Sequence, residues 1–67
     1  MGAHLDRAWV LFGQSRYDLA EGELRQELAA DPDCAVAHAL LAICLAERDQ
    51  LQEATREAEA AVLRDPE

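Results

Sequence analysis

Apolar residues recur at helical spacing through the first half of the chain. A first series ends near Gly13 and comprises Leu5, Ala8, Trp9, Leu11 and Phe12. A second series runs through Ala20, Leu24 and Leu28 and stops at Pro32. Because proline cannot continue a helix, the pattern predicts two helices with a break between them.

The second half repeats this plan. The pattern predicts a third helix over about 35–48 and a fourth that ends at Pro66. The apolar positions of the fourth helix are Ala54, Ala58, Ala61 and Val62. Four helices of about thirteen residues, joined by short turns, must lie antiparallel to their neighbours. The predicted fold class is all-α, with two helix-turn-helix units.

Polar residues in the predicted turns are candidates for capping the helix starts. Ser15 offers a side-chain oxygen to the second helix, and Asp33 offers one to the third. Asp49 and Gln52 have the spacing of a capping box at the start of the fourth helix. We therefore expect side-chain caps at three of the four helix starts.

An internal period links the two halves. The two prolines, Pro32 and Pro66, each follow an aspartate and stand thirty-four positions apart. Sliding the chain by this period gives eight identities in thirty-three aligned pairs. The first-half members of these identical pairs are Ala3, His4, Ala8, Leu11, Ala20, Glu23, Asp31 and Pro32. The chain is predicted to be two copies of one unit, about 1–34 and 35–67.

These residues resemble the tetratricopeptide repeat, a thirty-four-residue helical hairpin. In the second unit, the positions of its pattern are taken by His38, Leu41, Ala42, Leu45, Ala54, Ala58, Ala61 and Pro66. In the first unit, residues 15–18, Ala20, Leu24 and Pro32 fit it. The resemblance implies the start of an α-solenoid and a single non-catalytic domain, 1–67, that binds other proteins.

Departures from the pattern concentrate in the first unit. Arg7 stands where the family has a large apolar residue, and Glu27 stands where it has a small one. Terminal repeats are atypical because one face has no neighbour. We therefore interpret the first unit as an N-terminal cap, in which Arg7 reaches solvent and Glu23 or Glu27. We interpret the whole chain as the N-terminal piece of a longer array, since no extra helix follows the second unit.

Two apolar stripes are the candidate partner-binding residues. The third helix, over 35–46, is apolar on every side. The resemblance implies that a stripe on it and the equivalent stripe on the first helix line a concave groove. The six groove residues are Leu5, Trp9, Phe12, Val36, Leu40 and Ile43. Plain core packing is the alternative for Trp9 and Phe12.

The groove residues favour one type of partner. Some family members hold a peptide carboxylate with cationic groove side chains, but here the matching places carry Leu5, Trp9 and Ile43. An apolar or amphipathic peptide or helix fits them better. The alternative is another copy of the same chain, which would make these faces a self-assembly surface.

Length and charge exclude other functions. A chain of 67 residues holds one small domain. Its net charge of −8 leaves no basic patch for nucleic acid or an anionic membrane surface. The longest apolar run, over 35–46, is shorter than the roughly twenty residues that span a bilayer. We expect a cytoplasmic protein that binds neither nucleic acid nor membranes.

Catalytic and metal-binding signals are weak. Cys34 and His38 are four residues apart, which permits a redox pair or a metal half-site as an alternative function. Zinc needs three or four ligands, so we expect no metal and no cofactor. The glycines are scattered, and the carboxylates of Glu53, Glu57 and Glu59 are expected to be a solvated helix face. We expect no enzymatic activity.

Overall fold

The computed structural model describes residues 2–64 and has four α-helices in that range. Helix α1 spans Ala3–Gly13, α2 spans Tyr17–Ala30, α3 spans Ala35–Glu47 and α4 spans Leu51–Arg64. Connections of three or four residues turn the chain back, so that each helix packs on the next. The all-α fold of two helical hairpins is confirmed. The predicted end of the last helix, at Pro66, lies outside the described residues.

The turns after α1 and α3 share one backbone geometry. In the first, the Ser15 N–H donates to the Phe12 carbonyl over 3.0 Å, and the Arg16 N–H donates to the Leu11 carbonyl over 2.9 Å. The second turn repeats both bonds thirty-four residues later. Ser15 has φ 60° and Asp49 has φ 62°, so both residues occupy the left-handed position of a Schellman helix end.

This geometry overturns the predicted side-chain caps. Ser15 and Asp49 close the preceding helix and therefore do not begin the following one. The N-cap residue of α2 is Arg16 and that of α3 is Cys34, where Asp33 was expected. Neither cap residue makes a side-chain hydrogen bond to its helix. At the starts of α2 and α3, the predicted side-chain caps are therefore not formed.

Glycine at either left-handed position is expected to stabilise the protein. A side chain at positive φ costs about 1–2 kcal/mol, which Ser15→Gly and Asp49→Gly each remove. Glycine loses more backbone entropy on folding than other residues do, which offsets part of this gain. We therefore expect each change to raise the free energy of unfolding by about 0.5–1 kcal/mol. Urea unfolding measures this as a higher midpoint. Gln14→Gly is the matched control, since Gln14 has φ −92° and should gain nothing. A midpoint that rises equally in all three variants would contradict the assignment.

One apolar core runs through both hairpins. Its largest fully buried side chains are Leu24 of α2 and Leu41, Cys44 and Leu45 of α3. Two helices from different repeats therefore supply the centre of the core. Six further residues complete the core cluster, namely Leu5, Ala8, Ala20, Ala37, Leu40 and Ala54. Because the core spans the junction, the hairpins share their hydrophobic stabilisation.

Alanines occupy the positions at which helices pack closely. Ala8 and Ala42 are equivalent in the two repeats, as are Ala20 and Ala54, and all four are buried. A methyl side chain allows neighbouring helix axes to approach closely. The identities between the repeats therefore mark packing positions of the hairpin.

A cluster of ion pairs ties the first hairpin to the second. Arg25 donates from Nε to Glu21 over 2.9 Å and from Nη2 to Glu53 of α4 over 2.7 Å. Glu21 also accepts a hydrogen bond from Arg48, at the end of α3. Glu53, followed by Glu21, raises the pKa of Arg25. Exposed pairs contribute only about 0.2–1 kcal/mol each, but these four side chains link three helices.

Candidate interaction surface

Leu5 and Leu40 belong to the core, which corrects the predicted groove. Leu5 is 2% exposed and Leu40 is 3% exposed. α3 has α2 on one side and α4 on the other, and these neighbours cover the side of α3 that carries Leu40. Leu5 is covered by the same core cluster. Neither side chain can therefore contact a partner without unfolding part of the domain.

The exposed stripe of α3 differs from the predicted one at its centre. It consists of Val36, Ala39, Ile43 and Ala46. Val36 and Ile43 are 43% and 46% exposed, so both predicted ends of the stripe are accessible. Ala39 takes the place expected for Leu40. Because alanine is smaller than leucine, the centre of the stripe exposes less apolar surface than predicted.

Trp9 and Phe12 form an aromatic pair on α1. Their ring centroids are 6.3 Å apart in an edge-to-face arrangement, and Phe12 also contacts Tyr17 at 5.6 Å. Phe12 is partly buried against the core, whereas Trp9 is 46% exposed. Core packing, the alternative considered for both aromatic residues, therefore applies only to the buried part of the Phe12 side chain. Trp9 and Ile43 are equivalent positions of the two repeats with equal exposure, so they lie on the same side of the stack.

Val36 and Ile43 also border a recess between α3 and α4, which we call the open α3–α4 groove. Its walls are the exposed α3 stripe and a row on α4, consisting of Leu51, Thr55, Ala58 and Val62. None of these eight side chains is charged. In the first repeat, the second repeat covers part of the equivalent surface. Leu5 and Leu24 are buried there, whereas Trp9 remains exposed. The groove is therefore a helix-packing surface that nothing in residues 2–64 covers.

A pair of histidine–glutamate contacts was missed at the sequence level. His4 Nδ1 lies 2.8 Å from Glu23 Oε1, and His38 Nδ1 lies 2.6 Å from Glu57 Oε1. Each contact joins the first helix of a hairpin to its second. His38 Nε2 also lies 2.8 Å from the carbonyl oxygen of Pro32, in the turn between repeats. All four side chains are identities of the period, which is the signal that could have paired them.

Glu53 and Glu57 therefore do not form the solvated carboxylate face that we expected. Glu53 accepts a hydrogen bond from Arg25, and Glu57 contacts His38. Both residues are only partly exposed, whereas Glu59 is exposed as predicted. The two carboxylates serve to hold helices together.

Several charged residues of the first repeat make contacts within that repeat. Arg7 Nε donates to Glu23 over 2.9 Å, one of the two contacts predicted for this arginine. Hydrogen bonds from His4, and then from Arg7, lower the pKa of the Glu23 carboxyl. Glu27 is buried, and its carboxylate packs so closely on Gly2 that a Cβ there would collide with it. This places a negative charge at the start of α1, where the helix dipole favours it.

The two cysteines are free thiols in different surroundings. Cys44 is fully buried, and this burial raises the pKa of its thiol. Cys34 is half-buried at the start of α3. His38, the proposed partner of Cys34, is engaged by Glu57 and Pro32. Within residues 2–64, no three His, Cys, Asp or Glu side chains are grouped as metal ligands would be.

The repeat geometry agrees with the comparison to known families. The family model described as "Tetratricopeptide repeat" matches residues 11–67. The chain belongs to the tetratricopeptide repeat family. Among curated proteins and among solved structures, no match was found. Helices long and apolar enough to cross a bilayer are absent from the described part of this tetratricopeptide repeat protein.

Membership of the family gives the general type of function. Tetratricopeptide repeats are typically non-catalytic modules through which proteins bind other proteins. The four helices form two such repeats. Of the two departures in the first repeat, Arg7 is exposed and Glu27 is buried.

Proposed function

We propose that this tetratricopeptide repeat protein binds an apolar or amphipathic helix of a partner protein and performs no chemistry. The accessible members of the predicted stripe, namely Trp9, Phe12, Val36 and Ile43, are the proposed contacts. The observation that carries the proposal is the equal exposure of Trp9 and Ile43 at equivalent positions of two stacked repeats. A helix laid across the repeats would reach both side chains.

The energy of binding would come from burial of apolar side chains on a rigid support. Full burial of a large apolar side chain is worth about 1.5–3 kcal/mol, so a half-exposed one gains about half of that. Leu5 and Leu40 lie in the core beneath the contact residues and hold α1 and α3 in place. A preformed surface costs little to order, which leaves more of the burial energy for affinity.

Charge favours a partner that is basic around its apolar anchors. The chain has a net charge of −8, and none of the proposed contact residues is cationic. Charge-assisted capture of a carboxylate is therefore disfavoured. Attraction between an acidic domain and a basic partner mainly raises the association rate.

Trp9 provides the test, because it is the single tryptophan of the chain. The probes are synthetic amphipathic helices of about five turns, each with a leucine face flanked by lysines. We expect the Trp9 emission to shift to the blue on binding, and a scrambled peptide of the same composition to have no effect. Ile43→Glu should weaken binding at least tenfold, since it places a charge against the apolar face (about 1.4 kcal/mol per tenfold).

The matched control is Val10→Glu, which adds the same charge at an exposed apolar position beside Asp6 and Arg7. It should change the dissociation constant less than about threefold, because its effect is limited to long-range attraction. Equal weakening by the two variants, or binding of the scrambled peptide with the same affinity, would overturn the proposal.

A further inference from the structure

The ring of His38 joins three segments of the chain. His38 lies on α3, and its Nδ1 atom is 2.6 Å from Oε1 of Glu57 on α4. Its Nε2 atom is 2.8 Å from the carbonyl oxygen of Pro32, in the turn between the repeats. The side chain is only 12% exposed, so water contributes little to either contact. The hydrogens that this ring carries therefore affect how α3, α4 and the turn are held together.

Both oxygen atoms that face the ring accept hydrogen bonds and cannot donate them. The ionised carboxylate of Glu57 has no hydrogen, and neither has the carbonyl group of Pro32. A neutral imidazole carries one N–H, so in either tautomer one ring nitrogen would turn its lone pair toward an oxygen. The imidazolium, with a hydrogen on each nitrogen, donates to both. The geometry around His38 therefore suits the cationic form of the ring.

Arg64, the last residue of α4, shares the Pro32 carbonyl with His38. Its Nε atom donates to that oxygen over 2.9 Å and lies 3.4 Å from Oδ1 of Asp33. The guanidinium of Arg64 opposes a positive charge on His38, whereas the carboxylate of Asp33 offsets this repulsion. Glu57 contacts the ring directly, so its attraction is the larger effect.

The ionisable groups of the other neighbouring elements have different partners. In the turn, Asp31 accepts a hydrogen bond from the backbone N–H of Asp33, and Cys34 accepts one at its backbone carbonyl from the N–H of His38. On α2, which packs on α3, the carboxylate of Glu27 packs on Gly2. Two further α2 carboxylates form ion pairs, and their partners are His4, Arg7, Arg25 and Arg48. Within residues 2–64, the ion pair of His38 is therefore made with Glu57 alone.

The first repeat contains the same histidine–glutamate pair but has a permanent charge beside it. Arg7 Nε donates to Glu23 over 2.9 Å, and Arg7 Nη2 lies 3.0 Å from Nδ1 of His4. Because a guanidinium stays charged at any pH near neutrality, Glu23 keeps a cationic partner whatever the state of His4. The position equivalent to Arg7 in the second repeat is Leu41, which is buried. In that repeat the histidine itself has to supply the charge.

We propose that His38 is a pH-sensitive latch of the second hairpin, which holds both α4 and the inter-repeat turn as long as both ring nitrogens carry hydrogens. Loss of one hydrogen releases one of the two contacts. This is a property of the fold and does not depend on the partner proposed above.

The latch makes stability depend on pH in one direction. Histidine in an unfolded chain becomes cationic near pH 6.5. Because the folded chain binds the second proton of His38 between two acceptors, folding takes up a proton above that pH, and the free energy of unfolding rises as the pH falls. The stabilisation is complete below about pH 6 and is lost as the pH rises through about 8.

Urea unfolding of the whole chain at about pH 5.5 and about pH 8.0, followed by circular dichroism, tests the latch. For wild type, we expect the folded-to-unfolded ratio extrapolated to zero urea to be about tenfold higher at the lower pH. His38→Gln should reduce this difference to less than about threefold, the remainder coming from partial relief of the net charge of −8. His4→Gln is the matched control and should keep the wild-type difference, because Arg7 still neutralises Glu23.

Glu57→Gln tests the same contact from the other side, and it serves also if glutamine at position 38 prevents folding. The amide can donate to Nδ1, so a neutral His38 is then satisfied and the pH difference should again fall below about threefold. Glu23→Gln makes the same change of charge in the first repeat and should keep the wild-type difference.

Three results would overturn the latch. The first is a wild-type ratio that is the same at both pH values. The second is a tenfold difference that persists in Glu57→Gln and in His38→Gln. The third is an equal loss of the difference in the variants of the two repeats, which would assign it to net charge and not to His38.

Discussion

Leu40→Glu is expected to unfold the protein. Leu40 is 3% exposed and lies in the core cluster with Leu5 and Leu41. An uncompensated carboxylate at such a site costs several kcal/mol, whereas a domain of this size has only about 3–5 kcal/mol of stability. Circular dichroism should show loss of most helical signal at neutral pH.

Ile43→Glu is the matched control for Leu40→Glu, three residues along the same helix. Ile43 is half exposed, so its carboxylate would remain hydrated and the free energy of unfolding should fall by no more than about 1 kcal/mol. The two variants have the same charge and similar helix propensity. Equal helix content in both would show that Leu40 is not in the core.

Leu24→Ala is expected to have the second-largest effect. Leu24 is fully buried in α2, in the cluster that also contains Leu41 and Leu45 of the second repeat. Truncation of a buried leucine to alanine costs about 2–5 kcal/mol through lost burial and the cavity that remains. Because this approaches the whole stability of a small domain, we expect a urea midpoint close to zero.

Leu19→Ala makes the same truncation five residues earlier in α2, where the side chain is about half exposed. Its expected cost is below about 0.5 kcal/mol, as for most surface changes. A urea midpoint for Leu24→Ala that matches the Leu19→Ala value would contradict the shared core.

The helices, the repeat and the family could be predicted from the sequence because the core positions carry the period. Ala8, Ala20, Ala42 and Ala54 are identities between the repeats, and all of them are buried. Packing restricts these positions to small side chains, so the period survives there. Surface positions carry no such restriction, and the two repeats differ at most of them.

The exposed face of α3 could not be predicted, for a physical reason. A helix that is apolar on every side contains no periodic signal that distinguishes its buried face from its exposed one. Only the positions of α2 and α4 decide that Leu40 is buried and Ala39 is exposed. Trp9 and Ile43 are accessible, and their contact with a partner stays a prediction.

The side-chain caps were mispredicted because two local motifs compete for the same residues. Ser15 and Asp49 have the side chains of good N-caps, but each lies at the left-handed position of a Schellman turn, where φ must be positive. Aspartate tolerates that conformation better than most residues do. The backbone bonds that close α1 and α3 determine these positions, and they involve no side-chain atoms that a sequence pattern could reveal.

The ion-pair cluster around Arg25 has a mechanical consequence. Glu21 accepts a hydrogen bond from Arg48 at the end of α3, and Arg25 donates one to Glu53 near the start of α4. Both helices of the second hairpin are therefore bonded to α2. A hairpin bonded through one helix can pivot about that helix more easily than one bonded through two. The angle between successive hairpins, and with it the pitch of the stack, is therefore set partly by surface charge. Concentrated salt should loosen that angle before it melts either hairpin.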